Sequence, residues 1–539
     1  MESNYWTRRK RLSRRSMLRG SAVIGAGVAG AVLIGCGDSD DDGGDDGDGG
    51  DDGGNGDDGG SMEPVSGGTL TVAQAADVGT LDPALSASTT ENSITMAVYS
   101  NLIRRRADGE LEGMLAESWE ANDDLSEYTL KLREGVSFNG LDQPFTSEDV
   151  KFTIERLQAE ETGSAASAAL GFIKEVQTPD DYTATLVLEG PNAFAPDTLS
   201  LYQGRILPHT VDGARLATEA FGTGPFMIES HNSQESTVFV RNPDYWGAPL
   251  PYLDRVTFQY IPQEETRTLG LTGGDIDAIW PISPTQAQQI DANDGTHTNS
   301  TPSGSYLTLA MQMDAAPFDD LRVRQAMQLA TNRDLINEAA VFGLGTVAHD
   351  MPIPPTDPHH TGLEAPAYDV EEAMKLLSAA GHDGLDVTLH TSTVGSGMIE
   401  LSQAMKESAA PAGINISISQ DPEDSYWSDV WLVEPFTTVT WNGRNPDQAL
   451  SIVYLSDAPW NESHFINEDV DNLIKAARGQ TLEERQETYK KIHEVFLAEV
   501  PRLIPVFRPI ITGIGDHVHG LTAHPSNWLI LDDVWIDQV

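Results

Sequence analysis

Cysteine is nearly missing from this chain, with one, Cys36, in 539 residues. A single thiol closes no internal disulfide, so the folded part has to be held by its packed core alone. Positive charge is scarce as well: 33 Lys and Arg stand against 83 Asp and Glu, for a formal net charge of −50. Phosphate backbones are bound through cations that displace counterions, so nucleic acid is not expected as a partner. Past the N-terminus no apolar run reaches the roughly 18 residues of a membrane helix. Signatures of catalysis are lacking too, since the body holds no HExxH, no Walker A loop and no GxSxG. The sequence therefore reads as a non-enzyme.

What is present is unevenly placed. Residues 1–36 hold seven Lys and Arg and one Glu, residues 37–60 hold eleven Asp, and the remainder carries a net −45. So acidic a surface stays solvated and repels its own copies, and a monomer is expected. Ser13-Arg14-Arg15-Ser16-Met17-Leu18-Arg19 resembles a twin-arginine export signal, with Met17 where Phe is commonest and Arg19 in place of Lys. The apolar stretch Ser21–Gly35 has the length of a signal-peptide core rather than of a membrane span. Leu33-Ile34-Gly35-Cys36 resembles a lipobox, in which a small residue admits the signal peptidase and the thiol accepts diacylglycerol. Residues 1–36 thus read as a lipoprotein signal, with Arg14 and Arg15 directing export and Cys36 as the lipidation site. Gly25-Ala26-Gly27-Val28-Ala29-Gly30 matches GxGxxG inside this signal, where no strand precedes it and no dinucleotide site follows. Residues 37–66, dominated by Asp and Gly, have almost nothing to bury and read as a self-repelling, disordered tether.

The body alternates between two periodicities. "TLTVA" from Thr69, "EYTLKL" from Glu127, "DYTATLVLEG", "STVFVRN" and "RVTFQYI" read as strands. Thr146-Ser147-Glu148-Asp149 has capping-box form, and Val150, Thr153, Ile154 and Leu157 then fall on one helix face. Helices are also expected over Asp319–Ala340, Val370–Ala380 and Thr481–Glu499, with a strand at Leu385–His390 and another in the C-terminal "NWLILDDVWI". Interleaved strands and helices imply mixed α/β layers.

Several of these stretches together resemble the family 5 extracellular solute-binding proteins of ABC importers, the oligopeptide, dipeptide and nickel-binding group. They are "LAESWEANDDLSEYTLKLREGVSFNG", "PFTSEDVKFTIERL", "GTGPFMIESHNSQESTVFVRNPDYWG", "LDRVTFQYIPQEETRTLGLTGGDIDAIW", "PFDDLRVRQAMQLATNRDLI" and "YDVEEAMKLLSAAG". The resemblance implies a bilobed periplasmic-binding-protein-like α/β fold with two hinge-linked lobes. Lobe I would span 67–303, with an extra subdomain at about 114–221, lobe II would span 304–507, and 508–539 would return to lobe I. It implies a lipid-anchored, extracytoplasmic protein that closes around a peptide-like or other small polar solute and delivers it to a permease and its ATPase. No cofactor is implied.

The same resemblance places the ligand. Trp427 follows the strand-like "GINISISQ" at an aromatic position that walls the cleft, and "VTWNGRNPD" supplies Trp441 as a flat face and Gly443 as room for close approach. Peptide binders of the family often carry an Asp here for the ligand's amine. Alignment on the tryptophan puts Arg444 at that position, with Asp447 near enough to substitute if the loop shifts. A guanidinium fork suits carboxylate or phosphate, so an acidic or polar end is expected over a free amine. Thr80 and Leu81 from lobe I, Tyr306 at the outgoing hinge strand and Phe507 and Arg508 at the return strand complete the expected set. Two alternatives share the fold: a metal- or metal-chelate-binding lipoprotein, suggested by His517, His519, His524 and the pair His359-His360, and a solute-sensing accessory protein.

Overall fold

Leu70 and Val72 are fully buried while Thr69 is exposed, so the strand Thr69–Gln74 turns its apolar face into a core as its alternation predicts. In the computed structural model, which describes residues 63–537 apart from Ala87, this strand sits inside a seven-stranded sheet. The order is Thr296–Thr301, Ile510–Gly515, Ala278–Ile279, Thr69–Gln74, Arg255–Tyr260, Ser236–Arg241, Phe226–Asn232. Thr69–Gln74 runs parallel to both neighbours, and the other pairings are antiparallel. The export residues Arg14 and Arg15, the lipidation site Cys36 and the tether as far as residue 62 lie outside the described residues.

A second sheet has six strands in the order Thr346–Val347, Arg502–Phe507, Tyr306–Met311, Phe436–Trp441, Leu385–Thr391, Ile414–Gln420. Arg502–Phe507 and Tyr306–Met311 are buried along their whole length, as central strands covered on both faces must be. Leu307, Leu309, Met327, Leu401 and Leu503 belong to the core packed on this sheet. A third, antiparallel sheet joins Ala116–Ala121, Glu127–Leu132, Thr183–Leu188 and Ile173–Asp180. Helix Ser147–Gln158 lays Val150, Ile154 and Leu157 into a separate core there. Its start is fixed by the expected capping box, in which the Asp149 carboxylate accepts the Thr146 N–H at 2.8 Å.

The chain passes between the first and second sheets by two short crossovers. It leaves the first sheet at Thr301 and enters the second at Tyr306, then leaves at Phe507 and re-enters the first at Ile510. The crossovers are tied together: the Arg508 N–H donates to the Ser305 carbonyl at 2.7 Å, and the Ser303 hydroxyl donates to the Arg508 carbonyl at 2.7 Å.

Two segments differ from the sequence expectation. Asp319–Ala340 is not one helix but two, Leu321–Leu329 and Arg333–Val341. The Asn332 side chain accepts the Leu335 N–H at 3.0 Å and so caps a new helix, while the Thr331 hydroxyl bonds back to the Met327 carbonyl and finishes the old one. Apolar spacing continues through the break and hides it. "NWLILDDVWI" splits into Trp528–Ile530 and Trp535–Ile536, which pair locally with Thr522–His524 and Val518–His519. The C-terminal strand that joins the large sheet is Ile510–Gly515 instead. Leu529, Leu531 and Val534 still pack into the core of the first sheet.

Candidate functional site

Directly opposite residues on neighbouring antiparallel strands point to the same face of a sheet. In the second sheet Tyr306 stands opposite Trp441 on one side and Phe507 on the other. Three residues far apart in the sequence thus form one aromatic row, with the Tyr306 and Phe507 rings 6.1 Å apart and at 80°. The row lies at the end of the sheet where both crossovers emerge. Gly443 is there as well, packed against another stretch of main chain. A Cβ on Gly443 would stand 3.0 Å from the Cα and the carbonyl carbon of Gly304, so the glycine lets two main chains touch.

Beside the row lies a cavity of about 200 Å³. Trp427, Trp431, Trp441 and Trp460 wall it, with Thr440 and Arg444 among its other lining residues. The four indoles meet edge-on or tilted: Trp427 and Trp431 are 5.5 Å apart at 89°, and Trp441 and Trp460 are 5.7 Å apart at 53°. Trp431 contacts Trp441 and Trp460 at 6.3 and 6.0 Å. Such contacts are worth about 0.5–1.5 kcal/mol per pair beyond burial. Trp427 is 40 % exposed and Trp460 37 %, so the box opens to solvent on their side. Trp427 sits on a wide helical turn, Tyr426–Val430, anchored by Tyr426, whose hydroxyl donates to the Thr438 carbonyl at 2.6 Å.

Underneath, one carboxylate orients two of these rings. Glu462 Oε1 accepts the indole N–H of Trp431 at 2.7 Å and that of Trp441 at 3.1 Å. Its Oε2 lies 2.7 Å from an Arg502 nitrogen, and both side chains are at most 1 % exposed. Burial pushes the Glu462 carboxyl up, against the pull of Arg502 and the two indoles. Burial alone would lower the Arg502 guanidinium, and Glu462 beside it reverses the direction. The rings of Tyr306, Trp441 and Tyr454 surround that guanidinium at 5.5 to 5.8 Å, a setting in which a cation gains from the π faces.

Residues 110–462 match the bacterial extracellular solute-binding proteins, family 5, in that family's middle region. The chain belongs to this family. Glutathione-binding protein GsiB of Salmonella typhi is 25 % identical over 480 residues, covering 86 % of this chain and 93 % of that protein. Among solved structures, Helicobacter pylori DppA in complex with the peptide STSA has a TM-score of 0.70 and 24 % identity, over 88 % of this chain and 99 % of that one. Listeria monocytogenes CtaP has a TM-score of 0.79 and 21 % identity, over 88 % and 100 % of the two chains. The fold is accordingly the bilobed α/β fold of periplasmic binding proteins. A family 5 protein is the extracytoplasmic solute-binding component of an ABC importer for peptides or similar solutes, and it binds its solute without transforming it. No helix among the described residues is long and apolar enough to cross a membrane.

Within this family 5 protein the other expected ligand residues fall in distinct places. Arg444 lies with its guanidinium carbon 5.1 Å from the Trp441 ring centre, and its Nη1 donates to the Asn442 carbonyl at 3.2 Å. Arg508 donates from Nη1 to the Thr440 hydroxyl on the cavity wall at 2.7 Å. Asp447 is engaged by Arg478 Nε at 2.8 Å and by the Ser451 hydroxyl at 3.3 Å. Thr80 and Leu81 are not among the residues lining the cavity. Thr80 accepts the Asp82 N–H, and Leu81 is buried in the core of the first sheet. Their loop is pinned by Asp82, which takes both terminal nitrogens of Arg156 at 3.0 and 2.5 Å.

Trp431, Trp460, Glu462 and Arg502 were not among the expected site residues. Only the crowding of four tryptophans between positions 427 and 460, out of ten in the chain, hints at them in the sequence. The histidines take separate partners: His517 meets Asp277, His519 meets Asp537, and His359 lies between Asp357 and Arg485. His360 contacts the Ile353 carbonyl. Among the described residues no group of three or more His, Cys, Asp or Glu is placed to hold a metal ion.

Proposed function

We propose that this protein is a lipid-anchored clamp that captures a peptide-like or other small polar solute outside the cell and hands it to the permease and ATPase of its importer. The lobes divide at the two crossovers, giving lobe I residues 67–303 and 508–539 and lobe II residues 304–507, with the four-stranded sheet as the subdomain at about 114–221. The observation that carries this reading is the placement of the tryptophan-walled cavity beside two hydrogen-bonded crossovers. Few main-chain torsions at such a double strand have to change for one lobe to swing, and hinge closure is the motion expected of it. Closure also requires that solute bind the closed state better than the open one, which a wall formed by one lobe allows if the other lobe covers it. Tyr306, Trp427, Trp441, Arg444, Phe507 and Arg508 form or support that wall, and Thr80 and Leu81 belong to the opposing lobe. Twin-arginine export suits a protein that folds before it crosses, and diacylation at Cys36 with the acidic tether would hold the body near the membrane but off its surface.

One experiment reads both parts. Native mass spectrometry of protein extracted gently from the producing cell's membranes is expected to give a chain that starts at a lipid-modified Cys36 and carries a small molecule without covalent attachment. A chain with an intact N-terminus in the soluble fraction would remove the anchor. A body that never carries or takes up a solute would remove the capture role.

A further inference from the structure

The tryptophan cavity has one cation on its wall, Arg444, a second, Arg508, bonded to the wall residue Thr440, and no carboxylate among its lining residues. Most arginines of this acidic body pair with Asp or Glu. Among the described residues Arg444 and Arg508 make no ion pair, yet both are half-buried. The remaining arginines without an ion pair are spent elsewhere: Arg205 and Arg267 donate to main-chain carbonyls, and Arg485 donates to His359. Arg444 and Arg508 each make one such bond, leaving most of a five-donor fork unused. Asp447 is already committed to Arg478, and Glu462 to Arg502 and two indoles. An ammonium entering the cavity finds no open carboxylate on its walls.

Taking a guanidinium out of water without a counter-charge is unfavourable, and burial acts to lower both Arg444 and Arg508. Stacking offsets part of that cost for Arg444, and a guanidinium lying over a ring keeps its in-plane N–H edge free for an anion. About 200 Å³ exceeds the roughly 150 Å³ in which an apolar protein cavity holds a benzene ring, so one ring and a short acidic arm fit. Resting on the solute-capture reading above, we infer that the cavity selects a carboxylate-bearing solute with a flat apolar group. The acid is read by Arg444, with Arg508 acting through the wall residue Thr440, the ring lies among the tryptophans, and a free amine is not a recognition element.

Three probes that share one ring test this directly: 3-phenylpropanoate, its amide, and 2-phenylethylamine, titrated into the intact body while tryptophan fluorescence and heat are followed. The acid is expected to bind at least tenfold more tightly than the amide, and the amine least. Arg444→Gln is expected to weaken binding of the acid at least tenfold more than binding of the amide, and Arg508→Gln to narrow the acid's advantage in the same direction but less. Equal binding of acid and amide, a preference for the amine, or an acid preference that survives both substitutions would overturn the inference. Binding of none of the three would also overturn it, while the native mass spectrum separately decides whether the protein carries a solute at all.

Discussion

Glu462→Gln is expected to cost the folded body about 3–5 kcal/mol, because it leaves the Arg502 cation buried without its counter-charge. Both side chains are essentially sealed from solvent, so water cannot take over the role of the carboxylate. A glutamine oxygen can still accept one indole N–H, so the tryptophan box is disturbed less than the charge balance. Urea denaturation followed by far-ultraviolet circular dichroism reads the loss as a lower midpoint. The double substitution Glu462→Gln with Arg502→Met is expected to recover most of it, since replacing both members of a buried pair by groups of similar shape is often close to neutral. A single variant within 1 kcal/mol of the wild type would mean that the pair is not the electrostatic anchor beneath the cavity.

The second large effect is loss of stability in mild acid. His524 is 1 % exposed, stacks on Trp528 at 4.5 Å, donates from Nε2 to the Arg105 carbonyl at 2.8 Å and accepts the Ser526 N–H on Nδ1 at 3.0 Å. Those two bonds fix the neutral ring. Burial pulls its pKa down to about 4, helped by the charges of Arg105 and Arg104 and opposed by the carbonyl bond. Because the folded value lies below the unfolded one, the contribution is fully present above pH about 6.5 and is lost as the pH falls through about 4. The size is about 3 kcal/mol. His349 and His493 are also lowered, chiefly by burial, and add in the same direction. Protonation of surface carboxylates relieves the body's self-repulsion and works the other way, so the informative comparison is with His524→Phe. That variant is less stable at pH 7 but should show a flatter stability profile between pH 6.5 and 4. Parallel profiles for the two proteins would rule out His524 as an acid-sensitive element.

Which features could be read in advance follows from what fixes them. Local patterns are legible: Thr69–Gln74 by alternation, Ser147–Gln158 by its capping box, and Leu482–Glu499 within the helix expected over Thr481–Glu499. Tyr306, Trp441 and Phe507 were each singled out, but that they form one row depends on strand register, which no single segment encodes. Gly443 reads in sequence as room for close approach, whereas the main chain that approaches it is that of Gly304, in a crossover far away in the sequence. The buried pair leaves no mark in the sequence because Glu462 sits in an irregular loop and Arg502 opens a strand that otherwise reads as wholly apolar. A charge in such a place carries no periodic signal, and its meaning comes only from the partner across the fold.

Hinge closure is tested most directly by small-angle scattering of the body, stripped of solute and then saturated with the solute found in its native mass spectrum. A clamp hinged at residues 302–305 and 508–509 should show a smaller radius of gyration and a shorter maximum dimension when saturated. Superimposable curves at full occupancy would contradict it.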